Sequence, residues 1–359
     1  MILILERVRV KPLGTDQIGK AIMASKPSPA QQLTLFGGDE AKRHANRRNL
    51  KLLDIAEQAL ADDGSAISFL HRGFCHCSLP LRRRDDKNGE IWSRSDGKFT
   101  LSVSGGSFRH AGKDVHVGLP YGPKARLLCV YLASEVKNPS RRPDDRTVHF
   151  GRITNWLTEA GVRPTGGANG SIQATKQQLF RLAFATFTMT FANRDATNPA
   201  GDWFHREGLI EGGCLAPGDI EKFADGDFGK LGWPDHVTLT HNAFERMREQ
   251  AIPIATQRLT PLADNAAALD FFVWLSYRLP RIPEGEDILV SWGALCHQFG
   301  DTAYPSSFRR AYVESLRQAL AAYPEAKVEI TDEGLVLRHS DPSVPRRTLV
   351  TIGGGKISK

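Results

Sequence analysis

The chain has 359 residues, 41% of them hydrophobic, which is more than one core usually organises and enough apolar side chain for two folded units of ordinary size. Lys and Arg (47) outnumber Asp and Glu (40), a net charge of +7 that favours polyanionic partners, while 33 Gly and 20 Pro argue for many turns and against one long helical array. Five cysteines without an apolar signal segment speak against a secreted disulfide framework and for a reduced cytoplasm, and the opening Met1–Leu5 run, followed at once by Glu6 and Arg7, is too short to cross a membrane.

Residues 1–65 suggest loose order. They are Pro/Gln/Gly-rich from Lys26 to Gly38 and then basic at Lys42, Arg43, Arg47, Arg48 and Lys51, with one amphipathic helix over Asn46–Leu60 built on Leu50, Leu53, Ile55, Ala56 and Leu60. A first unit is expected over 66–255. Its apolar density begins at Ile67–Leu70, and alternation predicts strands at Phe99–Val103 and Val115–Val117. The Tyr121-Gly122-Pro123 turn leads into a helix over Lys124–Glu135, followed by a strand at Val148–Phe150 and a helix over Ile153–Ala160 that Gly161 stops. After the Gly166–Gly170 turn a helix runs over Ser171–Phe184, and the alternating runs Thr186–Phe191 and His236–Thr240 are expected to close the unit as a hairpin or small sheet.

The same order recurs over 262–347. A core-rich helix over Ala266–Leu279 ends where Pro280 and Pro283 forbid continuation; a strand follows at Ile288–Ser291 and a short helix over Trp292–Phe299. A longer helix over Ser306–Tyr323 stops at Pro324, and Ala326–Ile330 and Gly334–Arg338 alternate around Thr331-Asp332-Glu333 as a hairpin. Helix, strand, helix, turn, helix, hairpin is the order of a winged helix. The expected fold class is therefore α+β, with two tandem winged-helix domains after a partly disordered N-terminal segment and before a flexible tail, 348–359.

In such a unit the last helix enters the major groove, polar residues of its first turns reaching base edges while nearby cations hold phosphates. Phe308, Ala311, Tyr312, Leu316, Ala319, Leu320 and Tyr323 make an apolar face on the second unit's last helix, leaving Ser306, Ser307, Arg309, Arg310 and Arg317 for DNA. In the first unit Ile172, Leu179, Leu182 and Ala183 read as the buried face, leaving Ser171, Gln173, Lys176, Gln177 and Arg181 for solvent, DNA or a dimer interface. Lys327 on the wing and Arg346 and Arg347 in the tail are further phosphate candidates. An ordinary solvated helix face is the competing reading of each arginine.

Catalytic and cofactor signatures are not found. Gly353-Gly354-Gly355-Lys356 lacks the glycine spacing and the following Ser or Thr of a phosphate-binding loop, and His71, Cys75, His76 and Cys77 are crowded without a second ligand pair at zinc spacing, so no metal or cofactor is expected. One short motif stands out. Gln32-Leu33-Thr34-Leu35-Phe36 resembles the pentapeptide by which bacterial polymerases and accessory factors bind the replicative sliding clamp: Leu35 and Phe36 would fill an apolar pocket, Leu33 a neighbouring groove, and Gln32 would fix the register. The alternative is a staple that docks on its own chain.

From Phe74 to Arg347 the chain resembles the plasmid-encoded RepA replication initiator family. The resemblance is carried by Cys77–Pro80, by Leu119–Leu128 (LPYGPKARLL), by Phe272–Leu279 (FVWLSYRL) and by Val290–Gly300 (VSWGALCHQFG) with the following Phe308-Arg309-Arg310. It implies an initiator that binds direct repeats of duplex DNA at a plasmid origin, helps open AT-rich duplex, recruits host helicase and polymerase components, and exchanges between monomer and homodimer. A winged-helix transcriptional repressor on an inverted operator is the runner-up; a nicking enzyme of rolling-circle replication is the third reading.

Overall fold

The structure is a computed structural model in which residues 28–344 are described, except 37, 44, 85–90, 193–201, 214 and 301–303. Three helices come first: α1 (Pro29–Phe36), α2 (Gly38–Arg43) and α3 (Arg47–Leu60). Asn46 starts α3 by accepting a hydrogen bond from the Asn49 amide, and Leu52, Leu53, Ile55 and Ala56 form its buried stripe. Where composition suggests loose order, Pro29–Phe36, Gly38–Arg43 and Arg47–Leu60 are thus helical, and α3 contributes to the main core. The amphipathic period was legible; the surface that receives it lies in the far half of the chain.

The first unit opens with β1 (Ile67–His71), the short α4 (Gly73–His76), β2 (Ile91–Ser95), β3 (Phe99–Ser104) and the hairpin of β4 (Ser107–His110) and β5 (Lys113–His116). Next come α5 (Gly122–Val136), β6 (Thr147–His149), α6 (Ile153–Glu159) and α7 (Ser171–Phe184). They are followed by β7 (Thr186–Phe191), β8 (Trp203–Gly208), β9 (Ile210–Gly213), α8 (Asp219–Ala224), β10 (His236–Leu239), α9 (His241–Gln250) and β11 (Ala251–Ala255). Strand β10 lies between β6 and β9 and is antiparallel to both, Val237 facing Val148 on one side and Gly213 on the other. Elements α5, β6, α6, α7, β9 and β10 therefore have the order and strand arrangement of a winged helix whose wing includes 215–235.

The run Thr186–Phe191 does not close that sheet, contrary to the sequence expectation. As β7 it sits between β3 and β8 in a separate sheet of order β2-β3-β7-β8, with Phe187 opposite Val103 and Met189 opposite Leu101, all four side chains buried. Alternation fixes which side chains share a face but not which strand is the neighbour. Strand β1 pairs instead with β11, from Ile67 opposite Ala255 to His71 opposite Ala251.

The second unit comprises α10 (Thr256–Leu259), α11 (Ala266–Arg278), β12 (Asp287–Ser291), α12 (Trp292–Phe299), α13 (Pro305–Ala321), β13 (Val328–Ile330) and β14 (Gly334–Arg338). Side chains of Asn265 and Ser291 cap α11 and α12, and Pro305 occupies the first turn of α13 where no amide is needed. The sheet order β12-β14-β13 again gives a winged helix. One buried apolar cluster runs through both units: Leu128 and Leu132 of α5, Phe271 and Phe272 of α11 and Phe308 of α13 all belong to it. Arg126 of α5 and Asp270 of α11 cross the join as a buried ion pair, Nε to Oδ1 at 2.6 Å and Nη2 to Oδ2 at 2.7 Å.

Another buried titratable group sits in the first unit. Burial, with the positive charges of Arg72 and Arg246 nearby, pushes the His71 imidazole down to about 4. The folded chain then holds His71 neutral while the unfolded chain protonates it near 6.5, so stability falls as pH drops from about 6.5 towards about 4. A loss on the order of 3 kcal/mol is expected from this group. Denaturant unfolding of the protein and of His71→Gln across that range tests it: an equal pH slope in both would remove His71 from the account.

Candidate nucleic-acid interface

Helix α13 has two unlike faces. Phe308, Leu316 and Ala319 point into the core, whereas Ser306, Arg310 and Arg317 are exposed and Ser307, Arg309 and Val313 are half-buried. The outward face borders an open cleft of about 620 Å³ lined by Ser291, Trp292 and Gly293 at the start of α12, by Ser306, Arg309, Arg310 and Val313 of α13, and by Asp332 and Glu333 between β13 and β14. Arg309 does not stand free: its Nη2 lies 2.8 Å from Asp332 Oδ1 and its guanidinium 5.5 Å from the Trp292 ring. Arg310 is exposed and makes no ion pair among the described residues. Lys327 is exposed just before β13; Arg346 and Arg347 lie outside the described residues. Asp332, which sequence reasoning passed over as a turn residue, tempers the positive end of the face.

Helix α7 differs from the sequence expectation. Leu179 and Leu182 enter the main core as expected, but the opposite side is also covered, by a second apolar cluster. Phe180 stacks on Phe223 with ring centroids 4.2 Å apart and on Phe184 at 5.0 Å, while Phe108 and Val115 of the β4–β5 hairpin, with Phe228 and Leu231 of the wing connection, close around them. Four of the five polar residues expected to face solvent, all but Gln173, are engaged by hydrogen bonds within the fold. Ser171 Oγ donates to the Arg163 carbonyl at 2.8 Å and accepts from the Thr165 amide at 2.9 Å, stapling the turn between α6 and α7. Gln173 is half-buried, and Lys176 donates to the Leu231 carbonyl at 2.7 Å, its pKa lowered by burial. Gln177 is buried and accepts from the Tyr121 hydroxyl at 3.3 Å. Arg181 is buried too, donating to the Leu119 carbonyl at 3.3 Å.

The backbone is shaped for this. Gly118 has φ 76°, and a Cβ there would lie 2.3 Å from Arg181 Nη1, so glycine both permits the turn and admits the guanidinium. The wing connection that covers α7 exposes Glu221, Asp225 and Asp235, with Asp227 half-buried, against Lys222 and Lys230, an acidic surface unsuited to phosphate, while Asp219 is buried. The signal in the sequence was the aromatic pair Phe180 and Phe184, spaced i,i+4 on a face otherwise polar.

The clamp-like motif falls in α1. Leu33 is buried and Gln32 half-buried; the side chains of Leu35 and Phe36 lie outside the described residues. His76 Nδ1 pairs with Asp96 Oδ2 at 2.8 Å, whereas Cys75 and Cys77 are buried free thiols directed at the His71 and Phe99 carbonyls. Among the described residues no cluster of His, Cys, Asp and Glu is arranged for a metal ion, and no helix is long and apolar enough to cross a membrane.

Two joined winged helices, one with its last helix open and one with it enclosed, define an α+β protein of the tandem winged-helix class. Residues 119–294 match the family model described as plasmid encoded RepA protein, which bears out the resemblance read from the LPYGPKARLL and FVWLSYRL stretches and from VSWGA at the start of the Val290–Gly300 stretch. Two solved structures are similar: the selenomethionine derivative of domains 2 and 3 of RctB (10% identity, 74% of this chain and 96% of that one, TM-score 0.45) and the RctB domains 2–3 (12% identity, 71% and 83%, TM-score 0.41). No curated protein matches the chain.

Proposed function

We propose that this protein is a plasmid replication initiator that binds repeated sequences of duplex DNA at the origin through α13 and acts by binding rather than by catalysis. The observation that carries the reading is the open face of α13: Ser306 and Arg310 near its start are exposed on a cleft that a groove edge can enter, and Arg317, two turns on, is exposed further along the same helix. Helix α7, enclosed on both sides, then serves as a strut of the first unit. The family match within 119–294 supports a role in plasmid replication, which a cytoplasmic protein would perform with host helicase and polymerase components.

Clamp binding through Gln32, Leu33, Leu35 and Phe36 is part of the proposal, and it has a structural condition. Leu33 is buried in α1, so that helix must leave its seat before the motif is available to a partner. The test is footprinting of the full chain on the DNA flanking its own gene, with and without purified sliding clamp. Protection of short direct repeats, and co-retention of the clamp on them, are expected. An inverted operator alone would identify a repressor, absence of protection would end the DNA reading, and repeats without clamp retention would leave α1 as an internal staple.

A further inference from the structure

Three features of α3 do not follow from its role as a core helix. Arg47 and Arg48 occupy its first turn, which holds no acidic residue, although the helix dipole disfavours cations there. Its two acids are engaged from behind, sharing one cation: Lys42 of α2 lies 2.8 Å from Asp54 Oδ1 and 2.8 Å from Glu57 Oε2. Arg47, Arg48 and Lys51 therefore stay exposed as the basic end of the helix, and Arg47 and Lys51 have no ionic partner among the described residues.

Tertiary packing carries that end to the open face of α13. Glu314 Oε2 lies 3.4 Å from Arg48 Nε and 3.6 Å from Arg317 Nη1, so one carboxylate ties α3 to α13 while both guanidiniums remain largely exposed. The far end of α3 is fixed in the same frame: Arg258 bonds Asp62 at 3.0 Å and Glu325, just beyond α13, at 2.5 and 2.9 Å. Arg48 thus stands beside Arg317 on a shared carboxylate, with Arg47 and Lys51 within one turn of it on α3.

We infer that Arg47, Arg48 and Lys51 of α3 hold the phosphate backbone of duplex DNA beside the groove that α13 occupies. This rests on α13 being the groove helix. The chemistry is charge without base recognition: three exposed cations on a fixed helix match a row of phosphates and carry no sequence information. It assigns a task to the N-terminal segment, outside the 119–294 family match.

The experiment compares the full chain with Arg47→Ala/Arg48→Ala/Lys51→Ala and with Arg310→Ala, on a duplex carrying the footprinted sequence and on an unrelated duplex of equal length, over a salt series. The triple variant is expected to bind both duplexes roughly ten- to a hundredfold more weakly at about 0.15 M salt, with the ratio between duplexes unchanged and the salt slope reduced by about 2 to 3. Arg310→Ala should change the ratio. Unchanged affinity and slope in the triple variant, with Arg310→Ala impaired, would overturn the phosphate role of α3 alone; no effect in either would overturn the reading of α13 itself. A triple variant that loses discrimination would also overturn the inference, because phosphate contacts are alike on both duplexes. Matching thermal unfolding of all three proteins guards against misfolding, which solvent-exposed substitutions of this kind rarely cause.

Discussion

Replacing Arg126 by methionine is expected to destabilise the protein by about 3–5 kcal/mol, because one side of a buried ion pair would be removed and the other left behind. The guanidinium meets both oxygens of Asp270 and also donates to the carbonyls of Leu79, Pro80 and Gly122, at 2.7, 3.2 and 2.9 Å. Methionine fills similar volume but supplies none of these donors. Burial already raises the Asp270 pKa against the opposing pull of Arg126; without the cation that carboxyl would take up a proton or water would enter. The variant Arg126→Met/Asp270→Leu should recover much of the loss, since a well-packed apolar pair is often as stable as a buried ionic one. Urea unfolding of the three proteins decides the matter. A single variant within 1 kcal/mol of the parent, or a double variant no more stable than Arg126→Met, would show that the pair does not hold the join between α5 and α11.

The same pair bears on function, because α5 and α11 are the first helices of the two winged helices and their packing sets where α13 stands relative to the first unit. An apolar replacement that restores stability should leave affinity for a single duplex site intact, if only α13 reads DNA.

Substituting Arg310 by alanine is expected to weaken specific DNA binding by about 1–3 kcal/mol, roughly 5- to 150-fold, provided the side chain reaches a guanine edge. Arg310 is exposed on the outward face of α13 and has no ion-pair partner among the described residues, so no internal contact competes with DNA. Its neighbour Arg309 must first give up Asp332, and Arg309→Ala should therefore cost less. Titration of both variants against the footprinted duplex, its mutated forms and unrelated DNA separates base reading from phosphate holding. Loss of a base contact narrows the difference between duplexes; loss of a phosphate contact lowers all affinities together and reduces the salt slope by about one. If Arg310→Ala changes neither affinity nor slope, the groove face has been misplaced on α13.

Much of the fold was legible because its signals are local. Asn265 and Ser291 start helices, Pro324 and Gly300 end them, and strict alternation marks Gly334–Arg338; these depend on neighbours a few residues away, and the second winged helix emerged with its boundaries nearly intact. The apolar stripe of α13 left Arg310 and Arg317 outside on helical period alone.

What the tertiary structure decided is which polar surfaces stay wet. Gln177 and Arg181 look solvent-facing in a helix that already buries Leu179 and Leu182, and they become internal because the 118–121 turn receives them while a hairpin from 107–116 and a connection from 215–235 close over Phe180 and Phe184. Likewise the basic start of α3 gains its place beside α13 through packing between residues more than 250 positions apart. Helical period and capping chemistry are written in short windows of sequence, so composition and spacing determined the elements and the winged-helix order. Burial of a face depends on whichever distant segment covers it, and the assembled chain alone settled that α7 is enclosed and α13 is open.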